Sequence, residues 1–180
     1  MRAFALMGIM VGSLLVGIGL LTAVDNVKAE EKIAQERRSS MATSDVERVL
    51  EDWATAWSSH DTAKVLALFT DDCVYEDVTF GMVNHGKEEL RAFADGSFAA
   101  VPDFTIALTA RFVAGNWAAM EWVMSGTHKG DFPGMPATGK RFSAIRGATV
   151  VELQGGKIHR NSDYWDAATF MKQVGLLPAQ

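Results

Sequence analysis

Four long β-patterned segments fill the second half of this chain, at 104–113, 117–127, 142–153 and 157–165, and they constrain its fold more than any other feature. Gly115 with Asn116, and the pair Gly155-Gly156, supply the residues that tight hairpin turns demand, because glycine enters positive φ at little cost. Strands joined in this way lie antiparallel and side by side. Helical patterns come before them. Ser44 and Glu47 form a capping box, and Val46, Val49, Leu50, Trp53 and Trp57 then recur at helical spacing. Asp61 can cap a second, short helix carrying Val65, Leu66, Leu68 and Phe69. "CVYEDV" reads as a strand, "GMVNHG" as a turn, and "KEELRAFADGSFAAV" as a third helix stopped by Pro102. "DAATFMKQV" is a last helix, ended by Gly175. Helices followed by a meander of antiparallel strands give the α+β class, and a curled sheet over the early helices would enclose a conical cavity.

"GMPATGKR", residues 134–141, is one residue short of a phosphate-binding loop. Such a loop leads from a strand into a helix, so that backbone N–H groups and the helix N-terminus face the phosphates. Here the following segment, "RFSAIRGATVVEL", is a strand pattern, Arg141 replaces the magnesium-binding hydroxyl, and Pro136 removes a backbone donor. The segment is therefore a loop between strands. The net charge of −5 and the pI near 5.3 also argue against a nucleic-acid partner, which calls for clustered Lys and Arg.

The first 29 residues differ in kind from the rest. Arg2 precedes an apolar run over residues 3–24, and Val27-Lys28-Ala29 makes a small-x-small cleavage site. The expectation is a signal peptide over 1–29, or a membrane anchor if cleavage fails, since about 20 apolar residues can span a bilayer. Either way the domain is expected to be exported, periplasmic or secreted. Residues 30–43 read as a linker and 44–180 as the folded domain. Cys73 is the only cysteine, so no internal disulfide can form, and its place in an apolar strand suggests a buried thiol. His60, His85 and His159 lack the spacing of a metal set, so no metal is expected.

"SGTHKGDFPGMPATGKR", "VELQGGKIHRNSDYWD" and "FMKQVGLLP" resemble the SnoaL-like polyketide cyclase and ester cyclase group of the NTF2-like superfamily. The resemblance spans about residues 44–178. It implies an NTF2-like cone, a strongly curved antiparallel sheet wrapped around N-terminal helices, with a ligand pocket in its mouth. Fold alone does not settle function, because this superfamily contains cyclases, epoxide hydrolases, isomerases, dehydratases and proteins with no reaction.

The resemblance implies that Asp163, in "SDYWD", is the acid/base, in phase with His159, Asn161 and Trp165 on the last strand. A carboxylate among aromatic rings loses solvation, which raises its pKa toward neutrality. His128, in "GTHKG", matches a histidine of the cyclase pocket, and such a group can donate to a carbonyl or take a proton. Tyr75 and Asp77 alternate onto one face of the first strand, and ketosteroid isomerases place their proton-shuttling aspartate at the second of these positions. Trp53 and Ala148 stand where those isomerases have a tyrosine and an oxyanion-binding acid, so steroid isomerisation is not expected. Glu121, in "MEWVM", could supply an acid for an epoxide hydrolase, but without that enzyme's arginine. Trp53, Trp122 and Trp165 are expected, with Tyr75 and Glu121, to contact the ligand.

Catalytic Asp163, His128 and Asp77 would thus act without a cofactor on a small apolar carbonyl compound, by cyclisation, isomerisation or dehydration. The alternatives are a non-catalytic binding module for an apolar ligand and an epoxide or ester hydrolase. A homodimer paired through the sheet is expected from the resemblance, with membrane contact only if the leader stays attached.

Overall fold

The structure, a computed structural model, describes residues 28–33, 35 and 43–178. The apolar run at 3–24 and most of the expected linker lie outside the described residues. The chain divides into two compact units, Met1–Ala42 and Thr43–Gln180. In the first, residues 28–33 are helical, where a linker was the expectation for 30–43. Among the described residues no helix is long and apolar enough to cross a membrane.

The second unit is the α+β domain. Helix α1 runs over 43–58. Residue 43 is already helical, so Ser44 lies in the first turn and not at the cap. Leu50, Trp53, Ala54 and Trp57 are all buried, forming the single apolar stripe that a core-facing helix needs. His60 ends this segment at φ 55°, with its Nε2 2.8 Å from the Phe104 carbonyl oxygen. Asp61 caps α2 (Thr62–Ala67), accepting from the N–H groups of Ala63 and Lys64.

Strand β1 (Phe69–Asp77) is followed by β2 (Met82–His85), α3 (Gly86–Ala100), β3 (Thr105–Ala114), β4 (Trp117–Thr127), β5 (Arg141–Gln154), β6 (Lys157–Trp165) and α4 (Ala167–Val174). The six strands form one sheet in the order β2-β1-β6-β5-β4-β3. Strands β1 and β6 are parallel, and every other neighbouring pair is antiparallel. The expected turn at "GMVNHG" is in fact strand β2. Four half-exposed residues at a sheet edge carry little apolar signal of their own, and pairing with β1 is what makes them a strand.

Both expected hairpins close with two residues, pairing Ala114 with Trp117 and Gln154 with Lys157. Gly155 and Gly156 both have positive φ, whereas of Gly115 and Asn116 only the glycine does. These are the two primed turn types whose twist suits a hairpin. Register shifts interrupt β1, β3, β4, β5 and their partners. Such irregularities bend a strand and tighten its twist, which curls the sheet around α1 and α3. The outer face leaves Phe112, Trp117, Val150 and Tyr164 exposed.

The loop at 128–140 joins β4 to β5, as its flanking strand pattern predicts. The second of its two lysines, Lys140, has a structural task. A β-carbon placed on Gly175 would lie 2.1 Å from Lys140 Nζ, so the ammonium rests over the left-handed residue that ends α4. A cation there opposes the negative end of the helix dipole. Asp166 caps the other end of α4 through the Thr169 N–H at 2.9 Å.

Candidate functional site

The inner face of the curled sheet and the facing sides of α1 and α3 enclose a cavity of about 100 Å³, lined mainly by aromatic rings. A single water needs only about 10–15 Å³ measured this way, so the space suits a small molecule. Two carboxylates, Asp77 and Asp163, are its charged lining groups. Strand pairing puts them there, since Asp77 is the register partner of Asp163 in the parallel β1–β6 ladder. Residues paired across a ladder share a face, so both side chains point inward.

Asp163 is buried at 6% exposure and held by three donors. Thr149 Oγ1 donates to its Oδ1 at 2.7 Å and Asn161 Nδ2 donates to the same oxygen at 2.8 Å. The Tyr75 hydroxyl donates to Oδ2. A carboxylate offers about four acceptor directions, so this arrangement leaves Oδ2 one free. Thr149 is fixed from behind, because its oxygen accepts the Trp122 indole N–H at 2.8 Å. That contact commits the single hydroxyl hydrogen of Thr149 to Asp163.

Burial pushes the Asp163 pKa up from 3.8 to about 6, against the three hydrogen bonds, which pull it down; the neighbouring charge of Asp77 adds to the rise. Burial also raises Asp77, opposed by its hydrogen bonds. The Phe80 N–H donates to its Oδ1 at 2.9 Å, and the Trp165 indole N–H reaches both oxygens at 3.2 Å. Tyr75 is driven well above the ordinary phenol range by burial and by Asp163, so it stays a donor. The site thus holds a carboxylate that exchanges protons near neutral pH beside a neutral hydroxyl.

Tyr75, Asp77, Trp53, Trp122, Asp163 and Trp165 all line the cavity. Two expected residues do not. Glu121 is exposed, because alternation along β4 turns Met120 and Trp122 inward and the residue between them outward. His128 is fully buried behind the cavity wall, stacked on Phe132 at 5.4 Å and edge-on to Phe170 at 5.7 Å. Its Nδ1 lies 3.3 Å from Thr138 Oγ1, and burial holds its pKa below the usual imidazole value. His128 therefore supports two rings of the wall and does not reach its interior.

His159 does not share the inward phase of Asp163. An irregularity between β1 and β6 shifts the alternation, so Ile158 is buried while His159 lies 3.5 Å from the exposed Asp72. Ala148 likewise pairs with Tyr164 on the outer face, and Thr149 takes the inward position next to Asp163. Thr149 was legible in principle. Ile145, Val151 and Leu153 are apolar at alternating positions, and extending that phase turns Thr149 inward. Asn161 carries no such signal, because an amide becomes a site residue only through its neighbour.

Four buried side-chain atoms among the described residues lack a partner: the indole nitrogens of Trp53 and Trp57, His128 Nε2 and Asn161 Oδ1. Each such group forfeits about 1–3 kcal/mol relative to a hydrogen-bonded one. Among the described residues no group of three His, Cys, Asp or Glu side chains could hold a metal ion.

The sequence profile of the SnoaL-like polyketide cyclase family matches residues 47–174. No curated protein matches the chain. Among solved structures, TsrD from Streptomyces laurentii is similar at 23% identity and a TM-score of 0.67, over 74% of this chain and 97% of that one. A candidate SnoaL-like polyketide cyclase from Jannaschia sp. CCS1 gives 18% identity and a TM-score of 0.66, over 76% and 95% respectively. A protein of ketosteroid isomerase-like fold from Catenulispora acidiphila DSM 44928, in complex with trimethylamine, gives 24% identity and a TM-score of 0.63, over 71% and 92%. At these identities the likeness establishes the fold, and the curved sheet with its helices is of the ketosteroid isomerase and NTF2-like kind.

Proposed function

The chain belongs to the SnoaL-like polyketide cyclase family, and from that membership we propose that it is a cofactor-independent acid/base enzyme acting on a small apolar carbonyl compound. The observation that carries the proposal is a buried carboxylate whose pKa is raised to about 6 and which faces an aromatic cavity. Asp163 Oδ2, with its open acceptor direction, takes a proton from a carbon next to the substrate carbonyl. The electrons of that C–H bond pass into the carbonyl as an enolate. Where a C=C bond is conjugated with the enolate, the far carbon of that bond recovers the proton as the double bond shifts, which is isomerisation; otherwise the enolate adds to a second carbonyl, which is aldol cyclisation. In the second case protonated Asp163 returns its proton to the new alkoxide. Tyr75, neutral and bonded to Asp163, keeps the carboxylate oriented, while Asp77 and Trp165 shape the neighbouring wall.

Hydrogen–deuterium exchange at the α-carbon of 1-indanone in D₂O tests this reading. The rate should exceed that of buffer and rise with pH through about 6, as Asp163 loses its proton and becomes the base. A rate equal to buffer across that range would overturn this reading and leave the non-catalytic binding module and the epoxide or ester hydrolase.

Export and pairing belong to the same proposal. The apolar run at 3–24 and the small-x-small site at Ala29 support a removed leader. Exposed Phe112, Trp117, Val150 and Tyr164 on the outer sheet face support a second copy of this chain as partner. Intact-mass measurement and sedimentation of the exported protein should give a chain beginning at Glu30 that runs as a dimer. A full-length chain refutes the cleavage, and a monomer refutes the pairing.

A further inference from the structure

Three segments rim the aromatic cavity, and they are joined to one another in different ways. The turn 78–81 with β2 carries Phe80 and Met82, α3 presents Phe93, Ser97 and Phe98, and the loop 128–140 carries Phe132. All six of these lining residues are half-buried, whereas Trp53, Trp122 and Ile106 deeper in the cone are buried. Strand β2 runs straight into α3. Helix and loop are tied through the backbone, since the Lys129 and Gly130 N–H groups both donate to the Ala100 carbonyl oxygen at 2.9 Å. Loop and turn meet instead through two rings, Phe132 and Phe80, with centroids 6.2 Å apart. Among the described residues no backbone hydrogen bond joins these two segments.

The loop is clamped at its base and braced within its tip. The Gly139 N–H donates to the His128 carbonyl oxygen at 2.8 Å, and the His128 N–H to that of Lys140 at 2.9 Å. Beyond this clamp Phe132 and Met135 exchange backbone bonds at 3.0 and 2.9 Å, and Asp131 Oδ1 accepts the Ala137 N–H at 2.6 Å. The tip therefore spends these bonds on itself. Apolar packing holds it over the cavity, through the Phe132 ring set against His128, Phe170 and Phe80.

We propose that Phe132 and Phe80 form a two-ring gate, which parts to let a compound into or out of the cavity and selects compounds by size. It rests on the cavity being the binding site of the proposed reaction, not on what Asp163 does there. Parting the rings breaks no hydrogen bond, whereas opening the rim elsewhere would break the bonds to Ala100 or pull β2 from α3. Phe80 is anchored by its N–H to Asp77, so the loop tip is the side that swings. The compounds admitted are small, flat and apolar, and a larger ring system must wait for a wider opening.

Stopped-flow quenching of the cavity tryptophans by 1-indanone tests the gate. A gate slows entry and exit alike, so Phe132→Ala should raise the association and dissociation rates together, by about tenfold, with a much smaller change in affinity. Phe80→Ala removes the other half of the joint and should do the same. Ile106→Ala shortens a buried wall residue away from the rim and should raise the dissociation rate alone. 9-Fluorenone, a larger flat ketone, should enter the wild-type protein about tenfold more slowly than 1-indanone, and Phe132→Ala should remove most of that difference. Four results would each overturn the gate: association rates unchanged in both ring variants, an equal rise in association in Ile106→Ala, a size difference that survives Phe132→Ala, or no binding of 1-indanone at millimolar concentration. These rates need no turnover. Gated binding without α-carbon exchange leaves the gate standing and removes the acid/base reading, and exchange with ungated binding does the reverse.

Discussion

Asp163→Asn should lower the rate of α-carbon exchange by about 10²–10⁴-fold, the usual contribution of a positioned acid or base, with no loss of fold. The amide has nearly the shape of the carboxylate. Its oxygen can still accept from Thr149 and Asn161, and its nitrogen can donate to the Tyr75 oxygen, so the network can reform with one hydrogen reversed. What is lost is the group that takes up a proton. Stability should move the other way. Asp163 has a folded pKa near 6 against 3.8 for the free side chain, so the native state binds its proton more tightly than the unfolded chain. The resulting stabilisation is complete below about pH 4 and is lost as pH rises through about 6, a change of roughly 3 kcal/mol. Asn has no such dependence. In thermal melts the variant should therefore gain on wild type as pH rises from about 4 to about 7. An unchanged exchange rate in the folded variant would remove Asp163 from the chemistry, and a melting difference that ignores pH would contradict its raised pKa.

The second large effect is expected at a residue with no side chain. Gly147 pairs with Trp122 on one side and Trp165 on the other. A β-carbon on Gly147 would lie 2.2 Å from Trp122 Cη2 and 2.5 Å from two further atoms of that ring. The ring has nowhere cheap to go. Its N–H is bound to Thr149, and its centroid lies 6.5 Å from that of Trp53. Gly147→Ala should therefore cost about 3 kcal/mol, at the upper end for overpacking, in denaturant unfolding. It should also disturb Asp163. If Trp122 shifts, Thr149 is no longer obliged to donate to the carboxylate, and the loss of that bond should raise the pH midpoint of exchange above about 6. Trp122→Phe in the Gly147→Ala background should recover part of the stability, because a smaller ring leaves room for the methyl group. Full stability in the single alanine variant would show that the contact yields at little cost.

The way in which each residue reached the site explains how much of it could be read early. Asp163, Asp77 and Tyr75 were accessible because the resemblance to the family pointed to those positions, and Tyr75 and Asp77 also lie on the part of β1 that alternates regularly. Glu121 was misplaced although its strand was right, since Met120 and Trp122, not Glu121, hold the inward phase of β4. His128 sits beside the expected loop, but Phe132 and Phe170 stand next to it, and only their packing shows that it lies behind the wall. His159 was misjudged because one register irregularity reverses the face of every residue beyond it.

By itself the sequence determined the α+β class, the four long strands, their glycine hairpins, the cap at Asp61, and the exclusion of a nucleotide loop. All of these are set by residues close together in the chain, through turn chemistry, capping and periodicity. Tertiary structure alone decided strand β2, the inward Asn161, and the joining of Trp122, Thr149, Tyr75 and Asp163 into one network. Hydrogen bonds between residues dozens of positions apart depend on how β1, β4, β5 and β6 lie beside one another, and no local pattern encodes that.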